Sequence, residues 1–325
     1  LSHQKEKLSS HNMALMEFKG GIVRTASHSC TIEVQADTEV EAVVDGVVAA
    51  QAVKRMGDDV KIDVKGDKLI LKSGRSKVSL PIISGVELDK IESKGTSYSA
   101  TKIIAAIRRV AYAAAKNDIR YYLNGVNVQI TTDSGIDVVA TDGHRLAMFH
   151  IEDGGEFSNA ILPIYAVPML NAEHETIVFG DGKITAIAES FSHQFAGIDG
   201  KYPDWNRVMS NPPHTVEVDR TEMLSALSLV ASTGESSKMK AAILQITKNS
   251  LTIKSQVTDG SPSSEAEVEA SADAELTISM NCAYLIDAIK ATETDKVSIR
   301  FAKDSSEKIR IDDGELTQII MPMRA

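Results

Sequence analysis

The chain is 325 residues long, enough for two or three domains. Apolar residues make up 43% and charged residues 25%, a composition that excludes wholesale disorder. Against 45 Asp and Glu stand 35 Lys and Arg, a net charge of −10, which excludes coating of nucleic acid by bulk charge but not a local basic surface. Cys30 and Cys282 lie far apart, with no CxxC pair and no Cys/His cluster. No disulfide framework, metal or cofactor is therefore expected, and a reducing cytoplasm fits best. No apolar run nears the roughly 18 to 20 residues of a membrane span, and no secretory signal is read, so no membrane partner is expected.

In chain order, period-two alternation predicts strands at Met16 to Phe18 and around Thr25 to His28. A short helix is expected over Val47 to Met56, then strands at Val60 to Val64 and Lys68 to Leu71, with Lys65-Gly66-Asp67 as their turn. The clearest helix runs from Thr101 to Lys116, with Ile103, Ile104, Ile107, Val110, Ala111 and Ala114 on one side. Further helices are expected at Tyr165 to Asn171, Thr221 to Ala231 and Asn281 to Ala291. Strands recur at Leu251 to Ile253 and Val297 to Phe301, and Gly180-Asp181-Gly182 and Asp312-Asp313-Gly314 read as turns. A few helices among many strands make the fold class α+β.

The order repeats. Ser97 to Val110 and Val216 to Val230 share one pattern, as do Val128-Gln129-Ile130 and Leu244-Gln245-Ile246, and Thr141-Asp142-Gly143 and Thr258-Asp259-Gly260. A short helix followed by three strands occurs three times, over Val47 to Ile83, Tyr165 to Ile198 and Asn281 to Met323. Three copies of one domain are expected, over 1–93, 94–213 and 214–325, with breaks near Lys94-Gly95 and Asn211-Pro212-Pro213. By comparison with the second copy, the first lacks an opening strand and helix, roughly 25 to 30 residues.

Several strings point one way: Asp118-Ile119-Arg120-Tyr121-Tyr122-Leu123-Asn124-Gly125, Ala140-Thr141-Asp142-Gly143-His144-Arg145-Leu146-Ala147, Gly200-Lys201-Tyr202-Pro203-Asp204-Trp205, Ser73-Gly74-Arg75-Ser76 and Met321-Pro322-Met323-Arg324-Ala325. Together, in order, they resemble the bacterial DNA polymerase III β-subunit family of sliding clamps over nearly the whole chain. The terminal Ala325 departs from the Leu common in that family. The resemblance implies a DNA-clamp fold and a head-to-tail homodimeric ring that encircles double-stranded DNA, with helices inside and sheets outside. It also implies a processivity factor that tethers the replicative polymerase and does no chemistry itself. Implied partners are the polymerase α subunit, the clamp-loader δ subunit and other clamp-motif proteins, among them translesion polymerases, ligase and mismatch-repair proteins.

The family's partner-peptide pocket maps onto Leu123, Thr141, Gly143, His144, Arg145 and Leu146, onto Pro203, Arg207 and Val208, and onto Met239, Asn281 and Tyr284. It is completed by Ile319, Ile320, Met321, Pro322, Met323 and Arg324, although plain core packing of Ile319 or Ile320 is the competing reading. For DNA the resemblance points to Asn117, Arg120, Tyr121 and Tyr122. Helical spacing adds Lys102, Arg109 and Lys116, seven residues apart and hence on one face. Lys54 and Arg55 ride on the first helix, Lys290 on the last, and Arg75 with Lys77 are weaker candidates; a solvated helix face is the bland alternative. A basic inner rim on an acidic protein would attract phosphates while topology does the holding.

An enzyme is disfavoured. His144 beside Asp142, or Cys30 near His28, invites a catalytic reading, but no nucleophile elbow, phosphate loop, dinucleotide motif or HExxH accompanies them. The other alternative is a β-rich interaction adaptor that does not encircle DNA.

Overall fold

The computed structural model describes residues 14–131, 135–152, 158–233, 241–255 and 263–323. The first stretch forms β1 (Leu15–Lys19), β2 (Ile22–Ala26), β3 (Cys30–Gln35) and β4 (Ala42–Asp45), then α1 (Gly46–Val53), then β5 (Lys61–Lys65), β6 (Lys68–Ser73) and β7 (Ser76–Pro81). The middle forms β8 (Thr96–Ser99), α2 (Ala100–Val110), β9 (Gly125–Thr131), β10 (Gly135–Thr141), β11 (Arg145–Ile151) and β12 (Ser158–Pro163). A 3₁₀ helix over Ile164–Met169 leads into β13 (Thr176–Gly180), β14 (Lys183–Ile187) and β15 (Phe191–Ala196). Last come β16 (His214–Asp219), α3 (Arg220–Thr233), β17 (Ala241–Ile246), β18 (Ser250–Ser255), β19 (Glu265–Ala272), β20 (Leu276–Asn281), α4 (Cys282–Ala291), β21 (Lys296–Phe301), β22 (Ile309–Asp313) and β23 (Leu316–Ile320). Strands and helices segregate as an α+β fold requires.

The chain falls into two compact units, Leu1–Ile104 with Tyr165–Ile198, and Ala105–Ile164 with Asp199–Ala325. In the first, one antiparallel sheet runs β4-β1-β2-β3-β15-β14-β13-β8, and β5-β6-β7 form a separate meander. In the second, twelve strands run β12-β9-β10-β11-β23-β22-β21-β16-β19-β18-β17-β20. Sheets therefore continue across two junctions, β3 with β15 and β11 with β23, in each of which strands far apart in sequence pair residue for residue.

Local chemistry accounts for the helix starts. Asp45 caps α1, its Oδ1 accepting from Val48 N at 2.9 Å, and Asn281 caps α4 by accepting from Ala283 N and Tyr284 N. Gly46 is required by close approach: a Cβ there would lie 2.6 Å from the Ala14 carbonyl oxygen that accepts its N–H. The core of the second unit packs Met223, Leu227 and Val230 of α3 with Leu285 and Ile289 of α4 and with inward residues of the strands. In the first unit Met16, Phe18, Val44, Leu69, Leu71 and Leu80 cluster around Ala49 of α1. Each fully buried aliphatic or aromatic side chain contributes about 1.5–3 kcal/mol relative to exposure.

A buried ion group holds the connection after β7. Arg24 pairs with Glu17 and, at 2.6 Å, with Glu33. Those two carboxylates accept from Leu88 N and Ile91 N, so the segment between β7 and β8 is strapped to β1–β3.

Two helices differ from expectation. The one predicted over Thr101 to Lys116 stops at Val110, tightens to 3₁₀ over Ala111–Ala113, and turns away as Ala115 N donates to Leu123 O. Lys116 and Asn117 therefore lie in a loop, and Asn117 adopts a φ of +59°. The predicted helix at Tyr165 to Asn171 is the 3₁₀ turn Ile164–Met169, because Pro168 inside it has no N–H to extend an α-helical ladder.

Candidate functional site

The turn between β10 and β11 is folded on its own side chains. Asp142 Oδ1 accepts from His144 N at 2.9 Å and from Arg145 N at 3.0 Å. Thr141 Oγ1 donates to Arg145 O at 2.6 Å and accepts from Gly143 N, and Gly143 takes a φ of +89° that favours glycine. Arg145 then reaches back into the protein. It donates to Asp142 Oδ2 (3.0 Å), Asp287 Oδ2 (2.7 Å) and the Tyr112 carbonyl (2.7 Å), and its guanidinium sits 4.3 Å from the centroid of the Tyr284 ring. Arg145 was expected to meet a bound peptide. In the chain itself Nε, Nη1 and Nη2 each have a partner, and the guanidinium lies over the ring of Tyr284, which stays half-buried.

Three further segments converge on this turn. The Tyr202 hydroxyl accepts from Thr141 N at 3.0 Å, and burial pushes its phenol well above the usual range. Arg120 donates to Asp142 O at 3.0 Å, and a Cβ on Gly143 would lie 2.9 Å from the Arg120 guanidinium. A Cβ on Gly200 would lie 3.4 Å from the Tyr121 ring. Beyond β23, Met321 N donates to His144 O at 2.9 Å and Met323 N to Ser279 O at 2.8 Å. The C-terminal tail is thus laid beside the turn and the start of α4.

At the resulting surface Gly143, His144, Pro203, Arg207 and Met321 are exposed, and Val208, Asn281, Tyr284, Pro322 and Met323 are half-buried. Arg207 is held by Asp204 at 3.0 Å. Five residues expected to touch a peptide do not reach the surface. Leu123, Thr141, Leu146, Ile319 and Ile320 are buried, the last two at 1% exposure each; Ile320 packs in the core of the second unit, and β23 is paired on both edges, by β11 and β22. Met239 and Arg324 lie outside the described residues.

The basic residues are placed as follows. Lys54 and Arg55 are exposed at the end of α1, Arg55 donating to Gln51 O. Arg75 is exposed on the β6–β7 turn. Lys102 is exposed on α2, but Arg109 departs from expectation. Its side chain is 19% exposed and bonds Asp313 Oδ2 at 2.7 Å and Ala291 O at 2.9 Å. Asp313 is held below the usual carboxylate range, because the Glu293 N–H and the Arg109 guanidinium outweigh the opposing effect of burial. The exposed arginine of α2 is its neighbour Arg108. Lys116 and Asn117 are exposed in the following loop. Arg120 pairs with Asp118 at 2.8 Å, and hydrogen bonds from Arg120 lower that carboxyl to about 2. Tyr121 is exposed and meets half-buried Tyr122 edge-on at 5.7 Å, beside Ile119 at 95% exposure.

Sequence reasoning missed the supports: Tyr112, which hydrogen-bonds Gln318, together with Asp142, Asp287, Tyr202 and Asp313. Their contacts other than Asp142's span tens of residues or more, so no local spacing announces them. Among the described residues no group of His, Cys, Asp and Glu could hold a metal, and no helix is long and apolar enough to cross a membrane. Cys30 and Cys282 are buried, and burial pushes the Cys282 thiol up to about 11, the opposite of an activated thiolate.

Comparison with known proteins places this architecture. The family described as DNA polymerase III beta subunit, central domain, matches residues 98–204, and its C-terminal domain counterpart matches residues 210–324. The beta sliding clamp of Pseudomonas putida is 29% identical over 292 residues, 83% of this chain and 78% of that protein. That of Escherichia coli K12 is 25% identical over 284 residues, 82% and 77%. The crystal structure of the DNA polymerase III subunit beta from Pseudomonas aeruginosa superposes with a TM-score of 0.86 at 25% identity, covering 98% of this chain and 94% of that one. With β3 paired to β15 and β11 to β23 across long sequence separations, and Met321 to Met323 beside the β10–β11 turn, this chain belongs to the bacterial DNA polymerase III β-subunit family, the β sliding clamps.

Proposed function

We propose that this chain acts in the cytoplasm as a processivity clamp: two copies close head to tail into a ring around duplex DNA and tether the replicative polymerase, without catalysing a reaction. The three segments 1–93, 94–213 and 214–325 serve as its domains. One observation carries the reading. The strand that ends the second copy, β15, pairs with β3, and the strand that ends the third, β23, pairs with β11. The corresponding terminal strand of the first copy is β7, and the strand of the third copy corresponding to β3 and β11 is β19. Among the described residues, β7 pairs with β6 only, and residues 265–269 of β19 pair with β18 only. Each chain thus keeps one unused edge of each kind, which a second copy satisfies twice over in a closed ring.

Lys54, Arg55, Lys102 and Arg108, with Lys116, Arg120 and the Tyr121–Tyr122 pair, supply weak phosphate and base contacts on a protein that is acidic overall. Retention by topology needs few such contacts, so sliding is not impeded. The surface formed by His144, Pro203, Arg207, Tyr284 and Met321 to Met323 takes a short apolar peptide, its methionines adapting to several sequences. The polymerase α subunit, the loader δ subunit and other clamp-motif proteins occupy it in turn.

The test uses the whole chain, loaded onto a nicked circular plasmid by the clamp loader of the same organism. It should stay bound at high salt and leave within minutes of linearisation. Equal loss from circle and line would instead fit an adaptor that does not encircle DNA.

A further inference from the structure

His174 and His193 meet inside the first unit. His174 lies in the turn before β13 and is 1% exposed; His193, half-buried, stands in β15, the strand that pairs with β3 across one of the two long-range junctions. His174 Nε2 is 2.9 Å from His193 Nδ1. The other ring nitrogen, His174 Nδ1, accepts the Asn171 backbone N–H at 3.1 Å. A peptide nitrogen always carries its hydrogen, so His174 Nδ1 is bare and Nε2 holds the ring proton. Asn171 O also lies 3.2 Å from Nδ1, but a proton placed there to reach it would meet the Asn171 N–H head on. The bonds therefore run in one direction, from Asn171 N–H to His174 and from His174 Nε2–H to His193 Nδ1, and both rings are neutral.

Phe191 meets His174 edge-on at 5.0 Å and His193 at 5.4 Å, and Phe195 stacks on His193 at 6.0 Å. Directly opposite His193 stand Ile32 of β3 and Ala186 of β14; opposite Phe195 stand the buried Cys30 and Ile184. Two strands beyond Ala186 on the same face is Tyr98, and from the 3₁₀ helix the Tyr165 hydroxyl donates to Ser29 O at 2.9 Å. Glu173 and Glu175 flank His174 but are exposed, as is His28 on the β2–β3 turn. Glu17, Arg24 and Glu33 lie on the other face of the sheet, because Glu33 stands opposite Ser192, the neighbour of His193. A charge formed on either ring would sit mainly among aromatic and aliphatic groups, where it is costly.

We propose that this histidine pair is an acid-sensitive latch on the β3–β15 junction: it holds the turn before β13 to β15 while both rings are neutral, and it releases the turn and loosens the junction when either ring takes up a proton. The latch lies within one chain and stands whether or not two copies close a ring. A proton can enter each ring only at Nδ1, and at both of those atoms a hydrogen already points in. Protonation therefore breaks one of two buried hydrogen bonds and sets two N–H groups against each other. Once the turn opens, both rings meet water and take protons near pH 6.5, roughly as ordinary histidines do. The open state binds more protons than the closed one. Closure is thus fully favoured above about pH 6.5 and loses ground as pH falls below it.

The test is amide hydrogen exchange of the full chain at about pH 7.5 and about pH 5.5, each rate divided by the intrinsic rate at that pH. The peptides read are those covering β3 and the stretch from Asn171 to Ala196. One pH unit below its ordinary midpoint an exposed histidine is protonated about ten to one. Protection there should therefore fall roughly 10-fold if one ring takes up a proton and roughly 100-fold if both do. β17 and β18, which contain no histidine, should keep their protection. In the double variant His174→Gln with His193→Asn, the Gln amide N–H replaces the Nε2–H and the Asn carbonyl oxygen replaces Nδ1, and neither titrates. Its protection should be the same at both pH values. Unchanged protection of wild type on acidification would overturn the latch. So would an equal acid loss in the double variant, which would assign the effect to another group such as His28. A measurement on wild type alone keeps the inference exposed should the double variant fold poorly. In histidine-labelled chain, the ring signals of His174 and His193 should stay still while those of exposed His28 and His144 move through about pH 6.5. A pair that titrates along with them would overturn the neutral arrangement on which the latch depends.

Discussion

The meanders β5–β7 and β21–β23 are the same local object. Each follows a short helix whose first turn is capped by an Asx side chain, Asp45 for α1 and Asn281 for α4. Each is three antiparallel strands of period-two sequence. Their surroundings are opposites. β23 is buried at all five positions, and α4 buries Cys282, Leu285, Ala288 and Ile289, largely against α3. β7 buries only Leu80, and α1 buries only Gly46 and Ala49, leaving Val47, Val48 and Val53 exposed. Equal local pattern with unequal burial teaches that alternation specifies a strand, while neighbours decide whether it becomes core or interface.

The comparison breaks most readily on stability. Ile319 of β23 and Ser79 of β7 occupy corresponding places near the end of their meanders. Ile319→Ala should cost about 2–4 kcal/mol through lost burial and the cavity left behind, whereas Ser79→Ala should stay within about 0.5 kcal/mol. Chemical denaturation of both variants, read by fluorescence of Trp205 in the second unit and by circular dichroism, measures the difference. Equal costs would mean that β7 is as enclosed as β23.

The residues beyond each meander sharpen it further. After β7, Ile82 N and Ile83 N donate to Asp67 O and Val43 O and merely continue the fold. After β23, Met321 to Met323 border the candidate peptide surface. Pro322→Ala with Met323→Ala should weaken binding of a clamp-motif peptide by at least about 10-fold, the equivalent of roughly 1.4 kcal/mol, while the dimer mass is unchanged. Calorimetry giving the wild-type affinity would remove this tail from the site.

The smallest effect concerns the exposed lysines of the first meander, Lys61, Lys72 and Lys77, which stand directly opposite one another across β5, β6 and β7. Lys72→Thr removes the middle charge and supplies a residue that suits strands, so it should stabilise the monomeric first unit by roughly 0.2–1 kcal/mol at low salt, and less at high salt. Denaturation midpoints at two ionic strengths, on chain diluted below the dimer Kd, would register it. A salt-independent gain would point to strand propensity instead of relieved repulsion.

The alternating runs around Lys61 to Lys65, Lys68 to Ser73, Ser250 to Ser255 and Lys296 to Phe301 were legible as strands, because a strand's side-chain period is a property of its own residues. So was the internal repeat, and so were the strings around Asp118, Thr141 and Gly200 that pointed to the family. Spacing put Lys116 on the helix, but seven-residue intervals hold only while the helix lasts, and α2 ends at Val110; Arg109 does lie on α2, where Asp313 and Ala291, distant in sequence, take up its guanidinium. Spacing also could not see that Asp287 and Tyr112, so distant in sequence, would bond Arg145, or that Ile319 and Ile320 would both be enclosed.

What the residues determined alone was therefore the inventory: many amphipathic strands, few helices, repeated order, and an acidic total with basic patches. These follow from covalent geometry and short-range spacing. Which cations stay at the surface, which strands gain partners on both edges, and which edges are left open for a second copy were decided by tertiary structure. Those outcomes depend on pairings such as β3 with β15 and β11 with β23, which join residues that no window along the chain contains.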